Sequence, residues 1–304
     1  MKVFVTGGTG YVGTVLVEHL VKAGHAVTGL ARSVAGAEAL TAAGATPLHG
    51  SLSEVDLLSA AAADADAVVH AAVDVSMTAQ AQATELDAVA ALVQGAGSSA
   101  TGKPVVYTST ALVYGFDPAQ STSEDADLPE LSAQPVKAAA ERVVLAAPGV
   151  TGIVLRPGLV YGRGGSGLVV GLIRAASGAG VATYVDAGDN AWSSVHVDDL
   201  AVLYLAALER PAAGVYNAAE PQPFTFRALA EAIATLTSTE TLSLPLADAT
   251  QRMGPMAHVL ATTSRLSADR ARATFGWVPT GPGFLDDVRS GSYYRSLAAA
   301  TSWS

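Results

Sequence analysis

Cysteine does not occur in this chain, which excludes disulfides, thiolate catalysis and Cys-ligated zinc but says little about compartment. Charge is sparse too: only 14% of the 304 residues are charged, 17 basic against 27 acidic. The basic residues are scattered. With a net charge of −10 this argues against a nucleic-acid partner, because affinity for a phosphate backbone rests on clustered cations. No apolar stretch reaches about 18 uninterrupted residues, so no membrane span is expected. Met1-Lys2 leads straight into an apolar run, so no signal peptide is expected and the expected compartment is the cytoplasm. Half of the residues are hydrophobic, enough to bury a substantial core and exclude disorder. The alanine runs Ala60–Ala63 and Ala298–Ala300 read as helix formers with no function of their own.

What is present is organised from the first residues. Val3-Phe4-Val5 is followed by Thr6-Gly7-Gly8-Thr9-Gly10-Tyr11-Val12-Gly13, a glycine-rich turn between a strand and a helix. In that context Gly7 permits the tight turn, Gly10 lets a pyrophosphate approach the backbone, and Gly13 lets the helix pack closely on the strand. The helix start offers free N–H groups and a positive dipole end to phosphates. Val12, Val15, Leu16, Leu20 and Val21 recur at helical spacing as far as Gly24, and His25–Leu30 reads as the next strand.

The alternation continues. Strands are predicted over 45–49, 67–71, 104–108 and 152–156, with helices near 54–63, from about Met77 to Ser99 with an interruption near Gly95 and Gly97, and over 135–146. This predicts an α/β fold, a Rossmann-type doubly wound parallel sheet with a smaller C-terminal substrate lobe. Residues 1–156, completed by about 191–218, form the expected dinucleotide-binding domain; 157–190 and 219–304 form the lobe. A helix near 168–176, a helix over 226–236 and a strand over 242–246 are expected in the lobe.

The glycine turn and further landmarks resemble the extended short-chain dehydrogenase/reductase superfamily, which contains sugar-nucleotide epimerases and dehydratases. The landmarks lie in order along nearly the whole chain: Val68–Ala72, Thr108–Gly115, Lys137 followed by Ala140-Glu141-Arg142, Leu155–Gly162 and Val195–Ala201. They specify the superfamily and leave the substrate open. The resemblance implies a nicotinamide cofactor held by Gly7, Thr9, Gly10, Tyr11, Val12 and Gly13, by Arg32, Ser33, Ser51 and Leu52, by Ala71, Ala72 and Val73, and by Lys137, Pro157 and Leu159.

One departure dominates. The superfamily carries Tyr-x-x-x-Lys, with the tyrosine moving a proton, yet four residues before Lys137 stands Ala133, and a methyl group transfers no proton. Either this is a branch with altered chemistry or the tyrosine was replaced to trap a complex. The flank Leu131-Ser132-Ala133-Gln134-Pro135-Val136 favours the first, because it also lacks the usual serine before the lysine. Thr110 matches the hydroxyl that binds the substrate oxygen in similar enzymes; it also reads as a turn hydroxyl bonded to local backbone. Lys137 matches the lysine that holds the nicotinamide ribose, and if buried it is itself a candidate acid. Tyr114 and Tyr161 lead the other proton-donor candidates, ahead of Asp74 and Ser76. His196, Asp198 and Asp199 look like a metal or triad cluster but read better as fixing the sheet-to-lobe junction, and no metal is expected.

The second strand ends Leu30-Ala31-Arg32-Ser33, with no carboxylate for a ribose 2′-hydroxyl and an arginine suited to a 2′-phosphate. NADP(H) is therefore favoured over NAD(H), against a reading of Arg32 as a solvated or adenine-stacking residue. In the next loop Ser51 stands where similar proteins place an adenine-binding Asp. Two functional classes follow. One is an NADP(H)-dependent oxidoreductase acting on a small carbonyl, enone or nucleotide-sugar substrate. The other is a cofactor-binding protein without hydride transfer: a sensor, a partner subunit or a non-redox cyclase or dehydratase. Similar proteins pair two long helices per subunit, and Leu86, Val89, Leu92, Val93, Val136, Val143 and Val144 exceed what one core-facing stripe needs, so a homodimer is expected.

Overall fold

The computed structural model describes residues 1–73, 78–99, 101–115, 122–129 and 132–294. Strand β1 (Lys2–Thr6) turns into α1 (Tyr11–Lys22), and the alternation runs on through β2 (Ala26–Ala31), α2 (Val34–Ala42), β3 (Thr46–His49), α3 (Val55–Asp64), β4 (Ala67–His70), α4 (Ala79–Gly97), β5 (Lys103–Thr108), α5 (Pro135–Ala146) and β6 (Val150–Pro157). Next come β7 (Leu159–Tyr161), α6 (Gly167–Ala179), β8 (Val181–Val185), β9 (Ala191–Trp192), β10 (Ser194–His196), α7 (Val197–Glu209) and β11 (Gly214–Ala218). The chain closes with β12 (Phe224–Thr225), α8 (Phe226–Thr237), β13 (Glu240–Leu244), α9 (Leu246–Met253), α10 (Met256–Leu260), α11 (Asp269–Phe275) and α12 (Phe284–Ser290).

Seven strands form one parallel sheet in the order β11-β6-β5-β4-β1-β2-β3. The order reverses between β1 and β4, where Thr6 lies opposite His70, and ligands of such sheets bind outside the strand ends at that reversal. Parallel strands are covered on both faces, which is why Val3-Phe4-Val5 and Ala67-Val68-Val69 are apolar without alternation. Leu16 and Leu20 of α1 and Leu200, Leu203 and Tyr204 of α7 build the core on one face; Leu58 of α3, Leu92 of α4 and Val144 of α5 build it on the other. A further core holds the lobe together around Tyr161, Ile173, Phe224, Phe226 and Phe284. Among the described residues no helix is long and apolar enough to cross a membrane.

Three details differ from the sequence expectations. The helix start near Met77 lies outside the described residues, but from Ala79 to Gly97 helix α4 is continuous. Gly95 does not break it: a Cβ there would lie 2.0 Å from the carbonyl oxygen of Ser59, so the glycine marks the close approach of α3 and α4. The segment from Leu266 to Trp277, expected in the lobe, packs on the sheet, with the Phe275 ring 4.6 Å from that of Tyr216. Of the apolar positions expected to exceed one stripe, Val89, Leu92, Val93 and Val144 are buried in the chain's own core and only Leu86, Val136 and Val143 remain partly covered.

Two glycines inside helices should therefore respond oppositely to the same change. Gly95→Ala forces backbone against backbone and should destabilise by about 1–3 kcal/mol. A Cβ at Gly178 in α6 meets nothing within 4 Å, so Gly178→Ala should stabilise by about 0.5–1 kcal/mol. Urea unfolding of both variants checks the pair; equal shifts would contradict the packing described.

Candidate functional site

At the reversal point the turn after β1 is pressed onto the end of β4. Gly7 has φ +79°, and a Cβ on it would lie 2.4 Å from the backbone nitrogen of Ala72. A Cβ on Gly13 would lie 2.0 Å from the Gly7 carbonyl oxygen, so both positions exclude any side chain. Gly10 differs: its Cβ would meet only Gly7 O at 3.3 Å, so nothing in the protein forbids a side chain there. Gly10 caps α1 without a side-chain hydrogen bond, and no acidic residue stands in the first turn. An uncapped helix start behind a bare Cα is the cradle that a pyrophosphate fits. Thr9 is exposed and Val12 half-buried beside it. Tyr11 contributes only backbone to this cradle, because its phenol donates to Gly162 O at 2.8 Å and Gly165 lies against its ring. Burial raises that phenol's pKa.

The next group of predicted cofactor residues lies at the end of β2. Arg32 is exposed and has no ion-pair partner among the described residues. Ser33 caps α2, its Oγ accepting from the Gly36 N–H at 3.1 Å. The 70%-exposed Val34 adds an apolar surface beside them. Ser51 is half-buried; its N–H donates to Glu54 at 2.6 Å and its hydroxyl bonds that of Ser53 at 2.8 Å, with Leu52 next to it. Past β4, Ala71 and Ala72 are half-buried and Val73 is 62% exposed. Asp74 and Ser76 lie outside the described residues. Pro157 ends β6 buried, and Leu159 opens β7 half-buried.

Thr110 follows β5 half-buried, its Oγ1 accepting from the Leu112 N–H at 3.3 Å, so its own hydrogen is left for another acceptor. Lys137 is buried and ion-paired with Glu85 of α4 at 2.7 Å; its Nζ also donates to Thr108 O at 3.3 Å and lies 5.0 Å from the centre of the Tyr107 ring. Tyr107 donates to the same Glu85 oxygen at 2.5 Å. Burial raises the Glu85 pKa, but Lys137 and the two hydrogen bonds outweigh it and hold the carboxyl below its usual range. His70 stacks on Tyr107, and its Nδ1 meets the Thr6 hydroxyl at 2.8 Å. Its pKa is pushed down to about 4 by burial, reinforced by Lys137 and opposed by Glu85. Sequence reasoning missed Glu85. Its signal was its place on the inward stripe with Val89, Leu92 and Ala96, four, seven and eleven residues on.

The two candidate phenols fare differently. Tyr161 is 0% exposed and its hydroxyl bonds both Glu220 and Pro282 O, so it cannot touch a substrate and drops out as a proton donor. Tyr114 is half-buried, its hydroxyl donating to Asn217 Oδ1 at 2.8 Å under the Arg156 guanidinium, 4.5 Å from the ring centre. Arg156 is itself buried and grips Glu141 of α5 through Nε at 2.9 Å and Nη2 at 2.5 Å, while Ser109 donates to the same carboxylate. This fixes α5 to β6 beneath Lys137.

Ala133 is exposed and precedes α5, since Gln134 has φ −132° and ψ 67° and Pro135 is the first helical residue. The helical i, i+4 alignment that would stack position 133 over Lys137 is absent. The trio from 196 to 199 holds the junction. His196 Nδ1 accepts from the Asp198 N–H at 3.2 Å and caps α7. Asp198 pairs with Arg163 at 2.6 Å and meets His19 at 2.8 Å. Asp199 accepts the N–H groups of Thr280 and Gly281, each at 2.9 Å.

Residues 3–219 match the family described as NAD dependent epimerase/dehydratase family. The uncharacterized protein C2A9.02 of Schizosaccharomyces pombe is 31% identical over 296 residues, covering 97% of this chain and 100% of its own length. A Streptomyces protein named 3-diazoavenalumate denitrifying reductase is 30% identical over 307 residues, covering 95% of this chain and 99% of its own. Among solved structures, a dTDP-glucose 4,6-dehydratase from Bacillus anthracis in complex with NAD superposes with a TM-score of 0.80 at 18% identity, covering 100% of this chain and 98% of that one.

The buried charges make stability depend on pH with a definite sign. His70 has a folded pKa of about 4, below its unfolded value, so the unfolded chain binds more protons in between. Its contribution is complete above about pH 6.5 and is lost as pH falls towards 4, by about 3 kcal/mol. The depressed Glu85 adds to the loss below about pH 4.5. His70→Asn should flatten the slope between pH 6.5 and 4 in urea unfolding; an unchanged slope would refute the assignment. Glu85→Gln, which strands the Lys137 ammonium, should cost about 3–5 kcal/mol at pH 7, and adding Lys137→Met should recover part of it. A double variant less stable than Glu85→Gln alone would contradict that pairing.

Proposed function

The chain belongs to the NAD dependent epimerase/dehydratase family, and from that premise we propose that it is an NADP(H)-dependent oxidoreductase acting on a small carbonyl or enone compound. The observation that carries the cofactor choice is the end of β2. An exposed arginine without an ion-pair partner among the described residues, a serine hydroxyl and the start of α2 follow one another in the chain where an NAD site needs a carboxylate. Three donors suit a dianionic phosphate; none of them suits a ribose hydroxyl better than a carboxylate would. The near full-length relative with a reductase name supports redox chemistry.

When bound, the nicotinamide supplies hydride chemistry; the chain's residues supply position and protons. The first turn of α1, with Gly7, Gly10 and Gly13, holds the pyrophosphate. Arg32 and Ser33 hold the 2′-phosphate, and Ala71, Ala72 and Val73 offer apolar surface at the other end. Thr110 keeps a free hydroxyl hydrogen for the substrate oxygen. Lys137, held by Glu85 and by Thr108 O at the end of β5, is the residue we assign to the ribose, and its ammonium is a candidate proton source at that strand end. Tyr114 is the remaining phenol, and burial, only partly offset by Arg156, raises its pKa.

NADPH should bind more tightly than NADH, and Arg32→Ala should erode that preference by roughly ten- to a hundredfold. Fluorescence titration decides; a parent protein that prefers NADH would reject the reading. Gly10→Val should abolish binding of both cofactors while leaving the fold intact. With NADPH and a panel of aldehydes, ketones and enones, Thr110→Ala should lower turnover by roughly 10²–10³. Ala133→Tyr should stay within about tenfold of the parent, because residue 133 precedes the helix that carries Lys137. If NADPH binds tightly and no compound oxidises it, a cofactor-binding protein without hydride transfer is the better description.

A further inference from the structure

The lobe contains a cavity of about 590 Å³ between α6, β8, α8 and the α9–α10 segment. Its volume falls in the range of small-molecule sites. The cause is visible in α6: Gly167, Gly171, Ala175 and Ala179 stand every fourth residue along the cavity side, where longer side chains would close it. The floor is made by β8 and by Leu229 and Ile233 of α8, and Met253 and Met256 stand at the α9–α10 side. Met256 is 46% exposed, so the cavity's apolar wall continues to the surface on this side.

Polar atoms are few. Of the lining side chains among the described residues only Thr183, Tyr184 and Arg252 carry nitrogen or oxygen, and Arg252 alone is charged. Arg252 is exposed at the end of α9 and makes no hydrogen bond or ion pair among the described residues. A nucleoside diphosphate group would bring two or more charges and a ring of hydrogen-bonding atoms into a wall with one cation. A single acidic group on an apolar body matches the wall in both respects: the body covers aliphatic and methionine surface, and the acid meets the unpaired guanidinium.

We propose that this cavity is a binding site for a small molecule with an extended or planar apolar body and one anionic group. The site lies within the lobe and does not depend on which cofactor the sheet binds. The probe for the test is 8-anilinonaphthalene-1-sulfonate, an aromatic monoanion that fluoresces in apolar surroundings, added to the folded full-length chain at pH 7 with saturating NADPH present to occupy the cofactor cleft. Binding should saturate at one molecule per chain, and dodecanoate should compete. Arg252→Gln should weaken it by roughly tenfold. Gly171→Trp should weaken it at least about tenfold, because Gly171 lines the cavity and a Cβ there meets nothing within 4 Å, so an indole can lie across the cavity. Ala175→Phe should act in the same direction, and circular dichroism should show both variants folded as the parent. The proposal is overturned if binding does not saturate, if the probe binds only when NADPH is left out, or if folded Gly171→Trp and Ala175→Phe bind it as the parent does.

Discussion

A side chain at Gly7 or Gly13 has nowhere to go, and that backbone-on-backbone contact sets the rest of the nucleotide domain. With the Gly7 carbonyl 2.0 Å from where a Cβ of Gly13 would stand, α1 can lie only where it does against β1 and the end of β4. The helix start is thereby aimed at the strand-order reversal. The predicted cofactor residues of the glycine turn and of Ala71–Val73 flank this point. Gly10, by contrast, is a glycine the protein itself does not need, and its freedom is what marks the cradle as a site for something else.

Charged side chains are used sparingly and, where buried, in pairs. Lys137 with Glu85 and Arg156 with Glu141 both join α5 to its neighbours, one across to α4 and one to β6. Such pairs contribute little net stability compared with apolar residues of the same volume, but they tolerate no loss of one member. They hold the lysine in one place more firmly than packing of a flexible aliphatic stem would. At the junction with the lobe the carboxyl of Glu220 is pushed up to about 7 by burial, Asp199 adding to the effect, while Tyr161 and Ser194 oppose it.

Much of this was legible in the sequence, and the limits have physical reasons. The glycine turn, the strands of the main sheet and α5 could be placed because turn chemistry, apolar runs and a proline at the helix start are local signals. Gly95 and Gly97 misled because glycine marks both helix breaks and close helix contacts, and only the partner, Ser59 on another helix, tells which. Tyr161 looked like a donor because it ends a strand near the cleft; its burial depends on Glu220 and Pro282, which are distant in sequence. Glu85 was readable only by treating an acidic residue on an inward stripe as a buried group in want of a cation. The lobe cavity could not be read locally, since it depends on four small residues of α6 facing helices roughly sixty to eighty residues later.

The packing of Leu266, Phe275 and Trp277 on the sheet rather than in the lobe bears on how the molecule comes into being. A chain emerging from the ribosome has made all seven strands of the sheet by residue 218, yet the apolar face formed by α7 and β11 still lacks its cover. The Asp199 carboxylate likewise waits for the N–H groups of Thr280 and Gly281. The sheet of the amino-terminal half therefore lacks part of its cover until residues 266–281 are made, whereas domains made in sequence usually fold as they emerge. Its last wall is made after residues 219–260, which ties the completion of the sheet-bearing half to the arrival of the lobe segment between them.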